Sequence, residues 1–309
     1  MGIEPRVVLS VRFALLAGCV LLGARAEAQH YTQTNVVSNQ PGAAVMDANL
    51  VNPWGLSRSS TSPWWVANNG TGTSTLYNGN TGAAAALIVT IPPAPGSSDP
   101  GVPTGTVFNG TTAFQLTPGS AARFLFVTED GTISGWNPAV DATHAIVKVT
   151  SPGAVYKGVA IASRGGAWFL YVTNFARRRI EVFGYVDVFS PSGRLLRRLQ
   201  HGPWLNGPWG LALAPGDFGA FSHNLLVGQF GSGEIAAYDV ATGAFLGEMR
   251  DTSDHVLEIE GLWALAFGNG ASAGPLNTLF FTAGINDEED GLFGTLTAVT
   301  AEQLLGNGQ

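Results

Sequence analysis

The chain has 309 residues and a formal net charge of -7, with charged residues at only 12%, about half of the ~25% usual in soluble domains. That balance excludes nucleic acid as a partner, because phosphate binding needs clustered Lys and Arg. One cysteine, Cys19, leaves no disulfide framework and no Cys-based zinc site, and 41 Gly with 17 Pro favour many short strands joined by tight turns.

Residues 1–28 read as an export signal. Arg6 and Arg12 make a basic start, Phe13 to Gly23 is an apolar run too short to span a membrane, and Ala26-Glu27-Ala28 is an A-x-A cleavage site. The expected product is a periplasmic or extracellular protein beginning near Gln29. Leu16-Ala17-Gly18-Cys19 offers a lipoprotein alternative, with Cys19 lipidated, although "VLLG" keeps the sequence apolar past the cysteine. No later apolar run reaches 18 residues, so no membrane span is expected.

Residues 29–309 read as one all-β domain built on a repeat. "NPWGLS" (52–57) returns as "GPWGLALAP" (207–215) and "EGLWALAFG" (260–268), with weaker copies "PTGTVFN" (103–109) and "YKGVAIAS" (156–163). The anchors Gly55, Gly105, Gly158, Gly210 and Ala264 recur every ~50–54 residues. A second strand follows each anchor: "PWWVANNG", "RFLFVTEDG", "WFLYVTNF", "NLLVGQFG" and "NTLFFTAG". Third strands follow in "STLYNG", "TISGWNP", "RIEVFG", "EIAAYDV" and "GLFGTLT", and fourth strands are plainest in "ALIVTI" and "RLLRRL". Such repeats fit four-stranded antiparallel blades of a β-propeller, whose first strands crowd a central axis where small residues let backbones approach. Trp54, Trp209 and Trp263 hold one equivalent place and are expected to pack between blades. "HYTQTNVVS" (30–38) alternates like a strand and would close the ring by pairing into the last blade.

These motifs, with "LVNPWGL", "WWVANNGTGTSTLYNG" and "FVTEDGTISGWNP", resemble a family of uncharacterised exported bacterial proteins, some with a PEP-CTERM tail, similar to NHL and SMP-30-like propellers. The resemblance implies six ancestral blades and no established activity. It also implies that about one blade is missing between Phe183 and Tyr185, where "RIEVF" and "YVDVF" run on as two copies of one strand. About five blades are therefore expected to remain.

Loops before first strands and after second strands should share the channel face. They carry Asn52, Asn68, Asn69, Glu129, Asp130, Asn174, Asn206, Gln229, Glu260 and Asp287. Oxygen donors of this kind suit Ca²⁺ or another divalent cation, and Glu129, Asn174 and Asn52 are the metal-ligand candidates. The same residue types favour Asx turns without any ligand. "INDEED" (285–290) reads as a solvated acidic loop, and His255 as an exposed loop histidine rather than a general base. The leading expectation is a monomeric binding or scaffold module that takes a small molecule or protein at its channel face. A divalent-metal-dependent hydrolase of small esters or lactones is the alternative, and a nonfunctional truncated member a third; whether the chain is an enzyme stays open.

Overall fold

The computed structural model describes residues 30–164, 166–174, 186–189 and 195–299. Four antiparallel blades dominate it. The first runs outward through Pro53–Ser57, Trp64–Asn68, Thr73–Tyr77 and Val89–Thr90, and the second through Pro103–Phe108, Phe124–Thr128, Thr132–Trp136 and Ile146–Thr150. The third uses Pro208–Leu213, Leu225–Gln229, Ile235–Tyr238 and Phe245–Glu248. The fourth takes Leu262–Phe267, Leu279–Ala283 and Leu292–Ala298 from the end of the chain and Tyr31–Ser38 from its start, with Val45–Met46 added in parallel.

The expected pairing of the N-terminal strand into the last blade is therefore present. Tyr31–Ser38 pairs antiparallel with Leu292–Ala298, from Tyr31 opposite Ala298 to Ser38 opposite Leu292. Tyr31 is almost wholly buried; its ring lies 5.0 Å from that of Phe218 and its hydroxyl donates to the Phe218 carbonyl at 3.3 Å. Beyond the strand, Ser38 Oγ donates to the Gly291 carbonyl at 2.6 Å, and Gly291 N–H donates to Asn39 Oδ1 at 2.8 Å. The last blade is thus fastened at its outer strand and at the turn that follows.

The expected count of about five blades from an ancestral six is corrected to four. Residues 156–198, expected to hold a fifth, form two separate two-stranded sheets: Tyr156–Arg164 with Ala167–Asn174, and Asp187–Phe189 with Leu195–Arg198. The physical reason lies in partnering. Second strands of the four blades are buried along nearly their whole length, as in Phe124–Thr128 and Leu279–Ala283. In Ala167–Asn174, Trp168, Phe169 and Tyr171 stay exposed. The third strand expected beside it, Arg179–Phe183, lies outside the described residues, as does Gly184. Asp187–Phe189 pairs with the strand that follows it, Leu195–Arg198, in a sheet apart from the hairpin. The missing-blade explanation of the doubled strand falls with the blade count.

The glycine anchors do what close packing about an axis requires. A Cβ on Gly55 would sit 2.4 Å from the Thr104 carbonyl of the second blade, and one on Gly210 2.7 Å from the Trp263 carbonyl of the fourth. One on Gly105 would meet Val159 N at 3.0 Å, in the 156–174 hairpin. At Gly158 the hypothetical Cβ meets only Thr173 Oγ1 of its own hairpin, at 3.4 Å. Backbones therefore close on one another from the third blade through the fourth, first and second to the hairpin, and among the described residues no such approach is found at Gly158. Among the described residues no helix is long and apolar enough to cross a membrane. Residues 1–29, with Cys19 and the A-x-A site, lie outside them.

Candidate functional site at the channel mouth

The residue just before each anchor points the chemistry at the axis. These positions are Trp54, Thr104, Lys157, Trp209 and Trp263, and all five line a cavity of about 170 Å³ together with the anchors themselves. The tryptophans pack across blade boundaries as expected, but they do so against one another. Trp54 and Trp263 stack with centroids 3.9 Å apart, Trp263 also stacks on Phe230 at 4.1 Å, and Trp209 meets both indoles edge-on at 5.6 and 4.8 Å. Trp54 and Trp263 are buried, while Trp209 is 40% exposed.

Asn52 organises this cluster. Its Oδ1 accepts from Trp54 Nε1 at 2.8 Å and from Trp263 Nε1 at 3.1 Å, and its Nδ2 donates to Glu288 Oε2 at 2.9 Å. One side-chain amide thus satisfies two buried indole donors that would otherwise cost stability. Its backbone is left-handed (φ 44), and so are Asn286, Asp287 and Glu288 in succession (φ 57, 53 and 67). Runs of non-glycine residues in that region persist only where surroundings over-determine them. Here Glu260 Oε1 accepts from the backbone N–H groups of Asn286 and Asp287 at 2.8 and 3.3 Å. Asp290 closes the same loop: Gln40, Asn39 and Asn286 amides donate to it at 2.7, 2.6 and 3.0 Å. Those donors, Gln40 first and then Asn39, hold its carboxyl below the usual aspartate range.

Lys157 completes the mouth. Its Nζ lies 4.3 Å from the Trp54 ring centroid and forms an ion pair with Glu129. Glu129 Oε2 accepts in addition from Asn69 Nδ2 at 3.1 Å. The anticipated channel-face residues thus fall into pairs: Asn69 with Glu129, Asn52 with the acidic loop, Glu260 with Asp287, and Asn206, whose N–H donates to Gln229 Oε1 at 3.0 Å. The three candidates for metal ligation are each engaged elsewhere. Glu129 holds Lys157, Asn52 holds the indoles, and Asn174 Oδ1 accepts from Val155 N at 3.2 Å. Asp130 accepts from Ala94 N at 2.7 Å and from Thr128 Oγ1, and Asn68 donates to Thr73 and Thr75. Among the described residues, no three His, Cys, Asp or Glu side chains group closely enough to hold a metal ion. His255 is an exposed loop residue 3.6 Å from Asp251.

Lys157 was not among the site residues expected from sequence. Its signal was positional: it stands before Gly158 as the tryptophans stand before Gly55, Gly210 and Ala264.

No family model matches the chain. Curated proteins similar to it include uncharacterised proteins L690 and R648 of Acanthamoeba polyphaga mimivirus. Each is 27% identical, over 82% of this chain and 82% of L690, and over 84% of this chain and 78% of R648. Among solved structures, a protein of unknown function from Bacteroides thetaiotaomicron aligns with a TM-score of 0.52 at 9% identity, over 88% of this chain and 77% of that one. A glucose dehydrogenase aligns with a TM-score of 0.48 at 12% identity, over 87% of this chain and 99% of that one. At 9% identity the likeness to the Bacteroides protein bears on the fold alone. The resemblance to NHL and SMP-30-like propellers is corrected accordingly: no family model supports it, and four blades stand where five or six were implied.

Proposed function

We propose that the chain is a propeller binding module that captures a small ligand at its channel mouth. The observation that carries this reading is the convergence of Trp54, Trp209, Trp263 and Lys157 on one cavity, with Glu129 and the acidic loop behind them. An apolar pocket with a few convergent polar groups is where a small molecule gains both area and orientation. Left-handed strain at Asn52 and Asn286–Glu288 concentrates beside the same pocket, as expected where geometry is held for recognition rather than for stability. The basic start, apolar run and A-x-A site of residues 6–28 support an exported protein.

The test is a thermal-melt screen of small molecules against the chain. A ligand at 100 times its dissociation constant adds about 2.7 kcal/mol, an easily visible shift. The expected result is that shifts seen with wild type vanish in Trp209→Ala. Shifts that persist in both Trp209→Ala and Lys157→Met place binding elsewhere and sink the reading.

A further inference from the structure

We propose that the channel mouth is a site for a small organic ammonium ion, and that Lys157 is its built-in occupant. The inference rests on the binding reading above and names the ligand class. The face of an indole attracts a cation through the ring quadrupole, Trp more strongly than Tyr or Phe, and the attraction grows as water is excluded. Here an ammonium already occupies that position: Lys157 Nζ stands 4.3 Å from the centroid of Trp54, whose ring is stacked on Trp263 and met edge-on by Trp209. A carboxylate, Glu129, faces the same ammonium and is itself steadied by Asn69. An aromatic wall with a carboxylate behind it is the donor set that recognises amines.

The surroundings favour the same sign of charge. Glu288 is tied through Asn52 to both indoles, and Glu260 fixes the backbone of the loop that carries Asp287 and Glu288. An anionic ligand would meet that acidic rim, and beside Lys157 it would meet Glu129. The cavity wall supplies a further, independent sign of a ligand. Thr106 is 7% exposed, lines the cavity, and its Oγ1 is buried without a hydrogen-bond partner among the described residues. A buried hydroxyl left unpaired costs stability, and a polar ligand tail would satisfy it. A primary ammonium from the chain itself then acts as an internal competitor, lowering the apparent affinity by the fraction of time it holds the platform.

The test uses the full chain, tryptophan emission, and two probes of one shape: choline and its uncharged carbon isostere, dimethylbutanol. Choline is expected to change the emission and to bind about tenfold tighter than the isostere. Lys157→Met, which keeps the stem and removes the competitor, should tighten choline by about another tenfold and the isostere by no more than that, so that choline stays the tighter ligand. Lys157→Arg, which keeps a cation on the platform, should behave as wild type and guards against misfolding as the cause. Glu129→Gln should weaken choline only. Equal affinity for choline and isostere in both wild type and Lys157→Met overturns the proposal. So does benzoate binding to wild type that Lys157→Met abolishes, which would make Lys157 a ligand contact for anions. A neutral or anionic compound whose melting shift is lost in Trp209→Ala leaves the binding reading standing while the ammonium inference fails.

Discussion

Two junctions of the ring differ sharply. Where the fourth blade meets the first, the closing strand Tyr31–Ser38 is paired along its length, and Val37, Trp64, Tyr77, Phe280 and Phe293 form one buried cluster. At the other end of the series, Phe169 and Tyr171 on one face of the 156–174 hairpin, and Leu211 and Leu213 on one face of the third blade's first strand, remain exposed among the described residues. The strands on either side of both junctions come from the same repeat. Burial is therefore a property of having a neighbour at the right distance, and a strand sequence alone does not confer it. An exposed patch of this kind is unusual on a soluble monomer.

The largest expected effect lies on the closing strand, where its first residue meets the third blade. Tyr31→Ala removes a buried ring packed on Phe218 and Phe221 and should cost about 3–5 kcal/mol, measured by urea unfolding. A loss under 1 kcal/mol, roughly what an exposed substitution costs, would mean that the ring does not depend on its closing strand. The anchors give a matched pair. Gly55→Ala drives a Cβ into the Thr104 carbonyl and should cost about 1–3 kcal/mol. Gly158→Ala meets only an ordinary contact with Thr173 Oγ1 and should stay within about 0.5 kcal/mol. Equal costs would show that backbones crowd the axis at both places. At the open junction, Leu211→Ser with Leu213→Ser should leave the melting temperature nearly unchanged and reduce light scattering at high concentration. Unfolding of this double variant would show that the two leucines are buried.

The smallest effect is one of pH. Because the folded carboxyl of Asp290 titrates below its ordinary value of 3.8, the folded state binds fewer protons there than the unfolded one. Its contribution is complete above that value and is lost as pH falls through the lowered folded value. The melting difference between wild type and Asp290→Asn should therefore shrink below about pH 4. A difference that stays constant into stronger acid would show that the amides of Gln40 and Asn39 do not favour the charged form.

Much of the fold was legible in the sequence. The repeat of a small anchor, an apolar second strand and a turn-bounded third strand marks all four blades, and alternation in "HYTQTNVVS" marks the closing strand. The blade count was not legible, because "YKGVAIAS" and "WFLYVTNF" have strand chemistry and pack on the second blade, yet no third strand joins them among the described residues. At the mouth, the partners of the expected residues were not legible. Asn52 and Glu129 looked like oxygen donors, and their oxygens are occupied by indole N–H groups and by Lys157. Only spatial neighbours decide how an amide or carboxylate is used, and Lys157 arrives from a different repeat.

The pairing of Tyr31–Ser38 with Leu292–Ala298 also sets a timetable. Tyr31–Ser38 is synthesised well before the strand it pairs with, so the fourth blade cannot be completed until Leu292–Ala298 has emerged. Closing so long a loop is entropically slow, and until it happens Tyr31, Phe218 and the edge of Leu292–Ala298 have no cover. The nascent protein is therefore exposed to wrong partners for as long as the closing strand is unpaired, when a chaperone that shields strand edges would help it most.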